Sequence, residues 1–408
     1  MTTVRGGVLI DGTGSEPRAA DVVLDDATIT DVVPRGGAGA ATSVGEVGDV
    51  DADGLWVLPG LIDLHSHLGI LDPLDASPMP IAEAAARLFE NAELCLLSGH
   101  TTAREVGGAD GGLKRVIDLG LVAGPRLFPS GPILSQTGGH GDHRMPFIDH
   151  AHGGSIPGLT QPSQVCDGPE GVRIAVRNAF RQGATQIKVC VSGGVVSFTD
   201  DPKEAQFTVA ELRAAVEEAR THGTYVTAHA HSVQGIRNGL EAGLECFEHG
   251  TLLDEETAQL MAKHGAAMVP TLAILRILQT DGPKLGIPPE LLAKANGMFD
   301  HMKESIRLAT AAGVVVGSGT DLLGLAQNQR GMEIAVRAEA DSAMAAIVAA
   351  TATNARILRR PDLGVVAAGK VADLVALDFD PLAEPDKFTD PDHVVLVIKD
   401  GRVVKDLR

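Results

Sequence analysis

The chain is 408 residues long and 44% hydrophobic, with 34 Lys plus Arg against 53 Asp plus Glu, a formal charge of −19. That length and apolar fraction suffice for a large core with a small accessory unit, which excludes an intrinsically disordered chain. The negative balance disfavours phosphate backbones and anionic membrane surfaces, so no nucleic acid or membrane is expected as a partner, and small molecules or peptides are.

The opening Met-Thr-Thr-Val-Arg has no charged or long apolar leader character, and no transmembrane-length apolar run follows, so a cytoplasmic protein is expected. Residues 4 to 57 read as short strands: Val4 to Ile10, Asp21 to Leu24, Thr28 to Val33 and Leu55 to Leu58, separated by turn-rich segments and a Gly/Ala-rich loop. Asp373 to Asp378, Val394 to Lys399 and Arg402 to Val404 repeat the pattern at the other end, the last two joined by an Asp-Gly hairpin turn. A small sheet domain built from residues 1–58 and 361–408 is therefore predicted, flanking a separate unit over 59–360. Cys95, Cys166, Cys190 and Cys246 lie far apart with no paired spacing, which predicts small buried hydrophobes rather than disulfides.

Between 59 and 360 the pattern becomes apolar strand, Gly/Pro-rich loop and amphipathic helix, repeated. Strands are predicted at Leu61 to Leu64, Thr101 to Val106, Arg126 to Ser130, Gln186 to Val191, Tyr225 to Ala228, Cys246 to Glu248, Ala267 to Pro270 and Val314 to Gly317. Helices are predicted at Ile81 to Leu97, Glu170 to Gln182, Thr208 to His222, Asp254 to His264 and Pro289 to Ala312. Eight such units match an α/β fold of (β/α)8 barrel type, with the active site at the C-terminal strand ends; an open doubly wound sheet is the alternative.

Polar residues at those ends carry the chemistry. After a Pro-Gly break, Asp63, His65 and His67 alternate onto one strand face, and two neutral imidazoles there suit a divalent metal. In Gln186-Ile187-Lys188-Val189-Cys190-Val191 the apolar residues face the helices and Lys188 faces inward. An inward ammonium must pair with a carboxylate, lose its proton or be modified, for example by carbon dioxide to a metal-binding carbamate. Thr227, His229 and His231 share a face, Glu248-His249-Gly250 ends the next strand, and Asp321 follows the buried Val314-Val315-Val316 run. Singly, each fits a satisfied core polar group. Six together, remote in sequence and all at strand ends, would build a poor dry core.

These motifs, Pro-Gly-Leu-Ile-Asp-Leu-His-Ser-His, Gln-Ile-Lys-Val with Ser-Gly-Gly-Val, Ala-His-Ala-His, Glu-His-Gly and Gly-Thr-Asp, resemble in their order the amidohydrolase superfamily. The resemblance is to its binuclear-metal, prolidase-like or Xaa-Pro dipeptidase-related branch. It implies a deformed (β/α)8 TIM barrel with a small β-sandwich, and two divalent ions, zinc in the first instance. His65, His67 and Asp321 would bind one ion and His229 and His249 the other, with carboxylated Lys188 bridging; Asp321 would also be the catalytic proton carrier. It further implies His140, in the glycine-rich loop Ser135 to Arg144, and His231, where relatives carry tyrosine, as substrate-binding residues; a homo-oligomer is also expected. Loop capping for His140 and support of a metal ligand for His231 are the alternatives. Arg144 reads equally as an anion clamp or a solvated cation. His100, His143, His150, His152, His222, His264, His301 and His393 read as surface or loop residues. The expected reaction is hydrolysis of an amide in a dipeptide or N-acyl amino acid with a hydrophobic acyl or N-terminal part. The alternatives are a ring amide, carbamate, urea or lactone, deamination, or a non-catalytic binding barrel.

Overall fold

The computed structural model describes residues 1–35, 49–72, 79–144, 147, 155–156, 158–324 and 327–408. Two compact units divide the chain: residues 1–63, 94–102 and 328–408 form one, and 64–93 with 103–327 the other.

The first unit carries a nine-stranded sheet in the order Arg402–Asp406, Val394–Lys399, Leu374–Leu377, Trp56–Pro59, Val8–Leu9, Arg18–Asp25, Thr2–Arg5, Val50–Asp51, with Thr28–Pro34 paired to Arg18–Asp25. Segments from both chain ends thus share one sheet. The single strand expected over Val4 to Ile10 is instead two, because the chain turns at Gly6 with φ +89°. Alternation places Val22, Leu24, Leu374, Ala376, Leu396 and Ile398 in one apolar cluster and Leu58, Val375, Leu377 and Val397 in another, which Val394 joins where the pairing register shifts.

The second unit is built around seven strands in the order Ser163–Val165, Ile133–Ser135, Ile187–Cys190, Val226–Ala230, Cys246–His249, Ala267–Val269 and Val315–Val316, every neighbouring pair parallel. Arg126–Pro129, His100–Glu105 and Leu61–Ser66 form a further three-stranded sheet. The seven-stranded sheet curls round to the first histidine strand: Leu64 donates its backbone N–H to Ser318 O at 3.2 Å, and Asp321 donates to His65 O at 2.8 Å. The central strands are buried along their whole length, as parallel strands covered on both faces must be.

Capping residues fix where several of the helices begin. Thr208 and Glu211 form a reciprocal capping box on Val209–Thr221. Ser232 caps Val233–Ala242 and Asp254 caps Glu255–His264; left-handed Gly243 and Gly265 end them. The predicted helix over Pro289 to Ala312 is two, Pro289–Lys294 and Met298–Ala312, split where Gly297 takes φ +75°. Helices Gly111–Asp118, Val233–Ala242, Leu272–Asp281 and Met332–Ala340 were not expected from the pattern. Leu272–Asp281 buries Leu272, Ala273, Ile274, Leu275, Ile277 and Leu278, so it lacks the polar face that marks a surface helix. All four cysteines are buried and free. Among the described residues no helix is long and apolar enough to cross a membrane.

Candidate active site

Register brings the polar strand ends side by side. Cys190 lies opposite His229, and Ala230 opposite His249, so three adjacent strands deliver Lys188, His229 and His249 to one end of the sheet. Strict alternation would turn His249 away from Glu248, but His249 takes φ +64°, and both side chains reach the interior. Asp321 is likewise left-handed at φ +58°. Two non-glycine residues held there mark a site whose surroundings over-determine the backbone. Close packing also demands glycine at 319, where a Cβ would sit 2.4 Å from His65 Cβ.

The imidazoles are oriented by partners behind them. His65 Nδ1 lies 2.8 Å from Glu248 Oε2 and His67 Nδ1 2.7 Å from Gly107 O. Both partners only accept, so each Nδ1 carries a proton and each neutral ring leaves Nε2 bare. Those two Nε2 atoms nevertheless face each other at 3.1 Å, with Asp321 Oδ1 at 3.4 and 3.3 Å. Lone pairs and a carboxylate converging in this way call for a cation. Burial and the Lys188 charge push His65 down to about 4. Burial also opposes charge on His67, yet its hydrogen bond to Asp321 and the charges of Asp321 and Glu105 prevail and raise its pKa. A proton, or a metal ion in its place, is what this space favours. One ligand atom from each of His65, His67 and Asp321 lies within 4.8 Å of the others, as do atoms from His229, His231 and His249. His229 Nε2 meets the carbonyl of Gly193 at 3.0 Å, which leaves its Nδ1 bare, 2.9 Å from His249 Nε2. The donor set fits divalent metal at both places.

Lys188 is 1% exposed and lines the same cavity as these histidines. Among the described residues its Nζ has no ion pair and no hydrogen-bond acceptor, so the expected salt-bridge alternative is not formed. Burial pushes its pKa below the ordinary lysine value against the pull of Glu248, Cys190 and Asp321. The nearest thing to a counter-ion, Glu248, is engaged elsewhere: Arg104 Nη2 donates to Glu248 Oε1 at 2.6 Å, both side chains having zero exposure, and Thr227 Oγ1 donates to the same oxygen. Arg104 also donates to Leu64 O at 2.7 Å and to the Tyr225 hydroxyl at 3.1 Å. The sequence reading missed Arg104 and Glu248. The signal available was the one used for Lys188, a charged residue inside a buried strand, here present twice with opposite signs.

The other expected residues divide. His140 and His231 line the cavity with His65, His67, Lys188, His229, His249 and Asp321. His140 stacks on His229 with centroids 4.1 Å apart, and His231 stacks on His249 at 4.8 Å while its Nδ1 meets Thr251 Oγ1 at 2.9 Å. Burial pushes His231 down to about 3, and it pushes His140 down to about 4. Asp63 does not join them; it pairs with the buried Arg330. Arg144 is held by Asp142 through bonds of 2.7 and 2.5 Å. His143, expected as a plain loop residue, is at the cavity's lining, and His100 is buried against Ser98 rather than at the surface. His150 and His152 lie outside the described residues. Ile133, Val195, Ile274, Leu275, Leu278 and Met302 line the rest of the cavity, whose volume is about 100 Å³.

Residues 56–404 match the model of the amidohydrolase family. The chain is 32% identical over 425 residues to an ochratoxinase of Aspergillus niger, spanning 99% of this chain and 87% of that protein. Among solved structures it is similar to a prolidase complexed with N-methylphosphonate-L-proline, at TM-score 0.91 and 37% identity over 99% of both chains. It is also similar to a Xaa-Pro dipeptidase with methionine bound in the active site, at TM-score 0.87 and 30% identity, again over 99% of each.

Proposed function

Because the chain belongs to the amidohydrolase family and is a hydrolase of carbon–nitrogen bonds, we propose that it cleaves the amide of a dipeptide or N-acyl amino acid whose acyl or N-terminal part is apolar. The seven parallel strands, the three-stranded sheet and the bonds joining Leu64 and His65 to Ser318 and Asp321, just after the last strand, support a distorted (β/α)8 barrel with this site at its C-terminal end.

One observation carries the reading: a buried lysine without an acceptor, set among imidazoles whose bare nitrogens converge. An amine kept neutral by burial can add carbon dioxide, forming an N–C bond and releasing one proton, and the carbamate then presents two oxygens. His65, His67 and Asp321 would hold one divalent ion, His229 and His249 a second, and carboxylated Lys188 would stand between them. When bound, two such ions, zinc fitting the nitrogen-rich set, polarise a carbonyl and lower the proton affinity of water. Asp321 Oδ1, beside His65 and His67, would take the proton of the attacking water and pass it to the leaving nitrogen. Glu248 and the Gly107 carbonyl hold the two rings in the required tautomer.

The aliphatic lining from Ile133, Val195, Ile274, Leu275, Leu278 and Met302 supports an apolar acyl or side chain. No arginine is among the cavity's described residues. Named relatives that act as prolidase and ochratoxinase fit amide substrates of this kind. A panel of N-acyl amino acids and dipeptides tests the proposal. Release of a free amino acid from members with apolar groups is expected; ammonia release without amino-acid release, or no hydrolysis of any member, would overturn it. Lys188→Ala should abolish turnover and metal retention together, and added acetate should restore part of both.

A further inference from the structure

The helix Leu272–Asp281 carries two apolar stripes, and the protein packs only one of them into its own interior. Leu272, Ala273 and Ile277 are buried there, and Arg276 lies over the Phe299 ring of the Met298–Ala312 helix, 4.7 Å from its centroid. Thr271, Ile274, Leu275 and Leu278 line the cavity instead. Their spacing of three, four and seven residues is that of a single helix face. Ile133, Val195 and Met302 extend the apolar surface, and apart from the imidazoles no aromatic ring is among the cavity's described residues. An apolar stripe turned to a cavity gains nothing from the protein's own core; it is a surface for an apolar ligand.

The stripe has a fixed origin and a fixed length. It starts at the histidine cluster, where Thr271 Oγ1 lies 2.8 Å from His249 Nδ1, and the Thr271 backbone N–H donates to Met302 Sδ at 3.3 Å. Its far end is packed tightly: a Cβ on Gly282 would sit 2.4 Å from Leu278 O and 2.5 Å from Leu292 Cδ2. Helical rise carries Ile274 about 4.5 Å and Leu278 about 10.5 Å along the axis from Thr271. An extended chain advances about 3.5 Å per three bonds, so Ile274 stands level with about the fourth bond from the cluster and Leu278 with about the ninth. The cavity's volume of about 100 Å³ is room for the centres of water-sized groups, enough for about seven to ten of them.

Resting on the proposed amide hydrolysis, we infer that Ile274, Leu275 and Leu278 are specificity-determining residues that measure the acyl part of the substrate, a straight aliphatic chain of about eight carbons lying along the stripe with Leu278 at its far end. This narrows the apolar acyl group to a medium-length alkanoyl chain. Each methylene up to that length is buried and raises affinity about fourfold; beyond Leu278 the gain stops.

N-alkanoyl amino acids from acetyl to dodecanoyl, assayed with the full metal-loaded chain, test this through ratios within each protein, which a general loss of activity does not move. For the unsubstituted protein kcat/KM should climb about fourfold per methylene to about eight carbons and then level or fall. Leu278→Ala should move that optimum about three carbons longer, the number removed from the wall, and Leu278→Phe should move it shorter. Leu275→Ala, nearer the cluster, should keep the optimum length and raise the relative rate of chains branched at about the fifth carbon. A profile without dependence on chain length, an optimum that stays in place in both Leu278 variants, or a preference for aromatic acyl groups over alkanoyl groups of equal carbon number overturns the inference. Absence of turnover with every member would defeat the hydrolase proposal, and calorimetric titration with straight-chain carboxylates from acetate to dodecanoate then decides the matter. Affinity that rises with length to the same limit and to a longer one in Leu278→Ala upholds the measuring role; equal affinity along the series overturns it.

Discussion

At the scale of single residues the site rests on charges that cannot be relocated. Arg104 and Glu248 are fully buried and satisfy each other, so removing one leaves the other as an uncompensated ion, a loss of about 3–5 kcal/mol. Glu248→Gln keeps the shape but removes the charge that faces both Arg104 and His65 Nδ1. We expect it to lower activity or metal affinity about 10–100-fold and to lower the melting temperature, checked by metal titration and thermal unfolding; wild-type values in both would remove Glu248 from the account. The convergence of His65 and His67 could be read from two-residue alternation on one strand. The inward turn of His249 could not, because it depends on a left-handed backbone that alternation does not foresee. The fate of Asp63 was equally hidden, since its partner Arg330 lies 267 residues away.

Elements were legible wherever polarity changed along them. Ile81–Leu97 was read to the residue, and the Val209–Thr221 helix announces itself through its capping box. Leu272–Asp281 was missed because it is apolar nearly all round, and it is the element that supplies Ile274, Leu275 and Leu278 to the cavity. Packing between Gly168–Arg181 and Val209–Thr221 gives a pH prediction. Arg177 and Arg173 hydrogen-bond Glu218 at 2.8 to 2.9 Å and, against the opposing effect of burial, hold its carboxyl at about 2, below the ordinary 4.5. Between those values the unfolded chain binds more protons at this residue, so the stabilisation is complete above pH 4.5 and disappears as pH falls towards 2. Melting temperatures of the wild type and Glu218→Gln should therefore differ by a few degrees near pH 6 and draw together near pH 3. A constant gap would contradict the assignment.

Over the whole molecule, the proposed ligands are gathered from strands that begin at residue 61 and end at residue 316, with Asp321 just beyond. Such a site would exist only in the folded chain, so the proposed metal binding would be coupled to folding and a chelator should lower the melting temperature. Order and spacing of the motifs pointed to these residues in the sequence; Arg104 and Glu248 carried a signal there too, each a charge within a predicted strand, but their pairing appears only once the strands stand side by side. The most direct test is elemental analysis of active, unchelated protein by inductively coupled plasma spectrometry. Two divalent transition-metal ions per chain, removed and restored together with activity, is the predicted result; full activity with fewer than one ion per chain would contradict it.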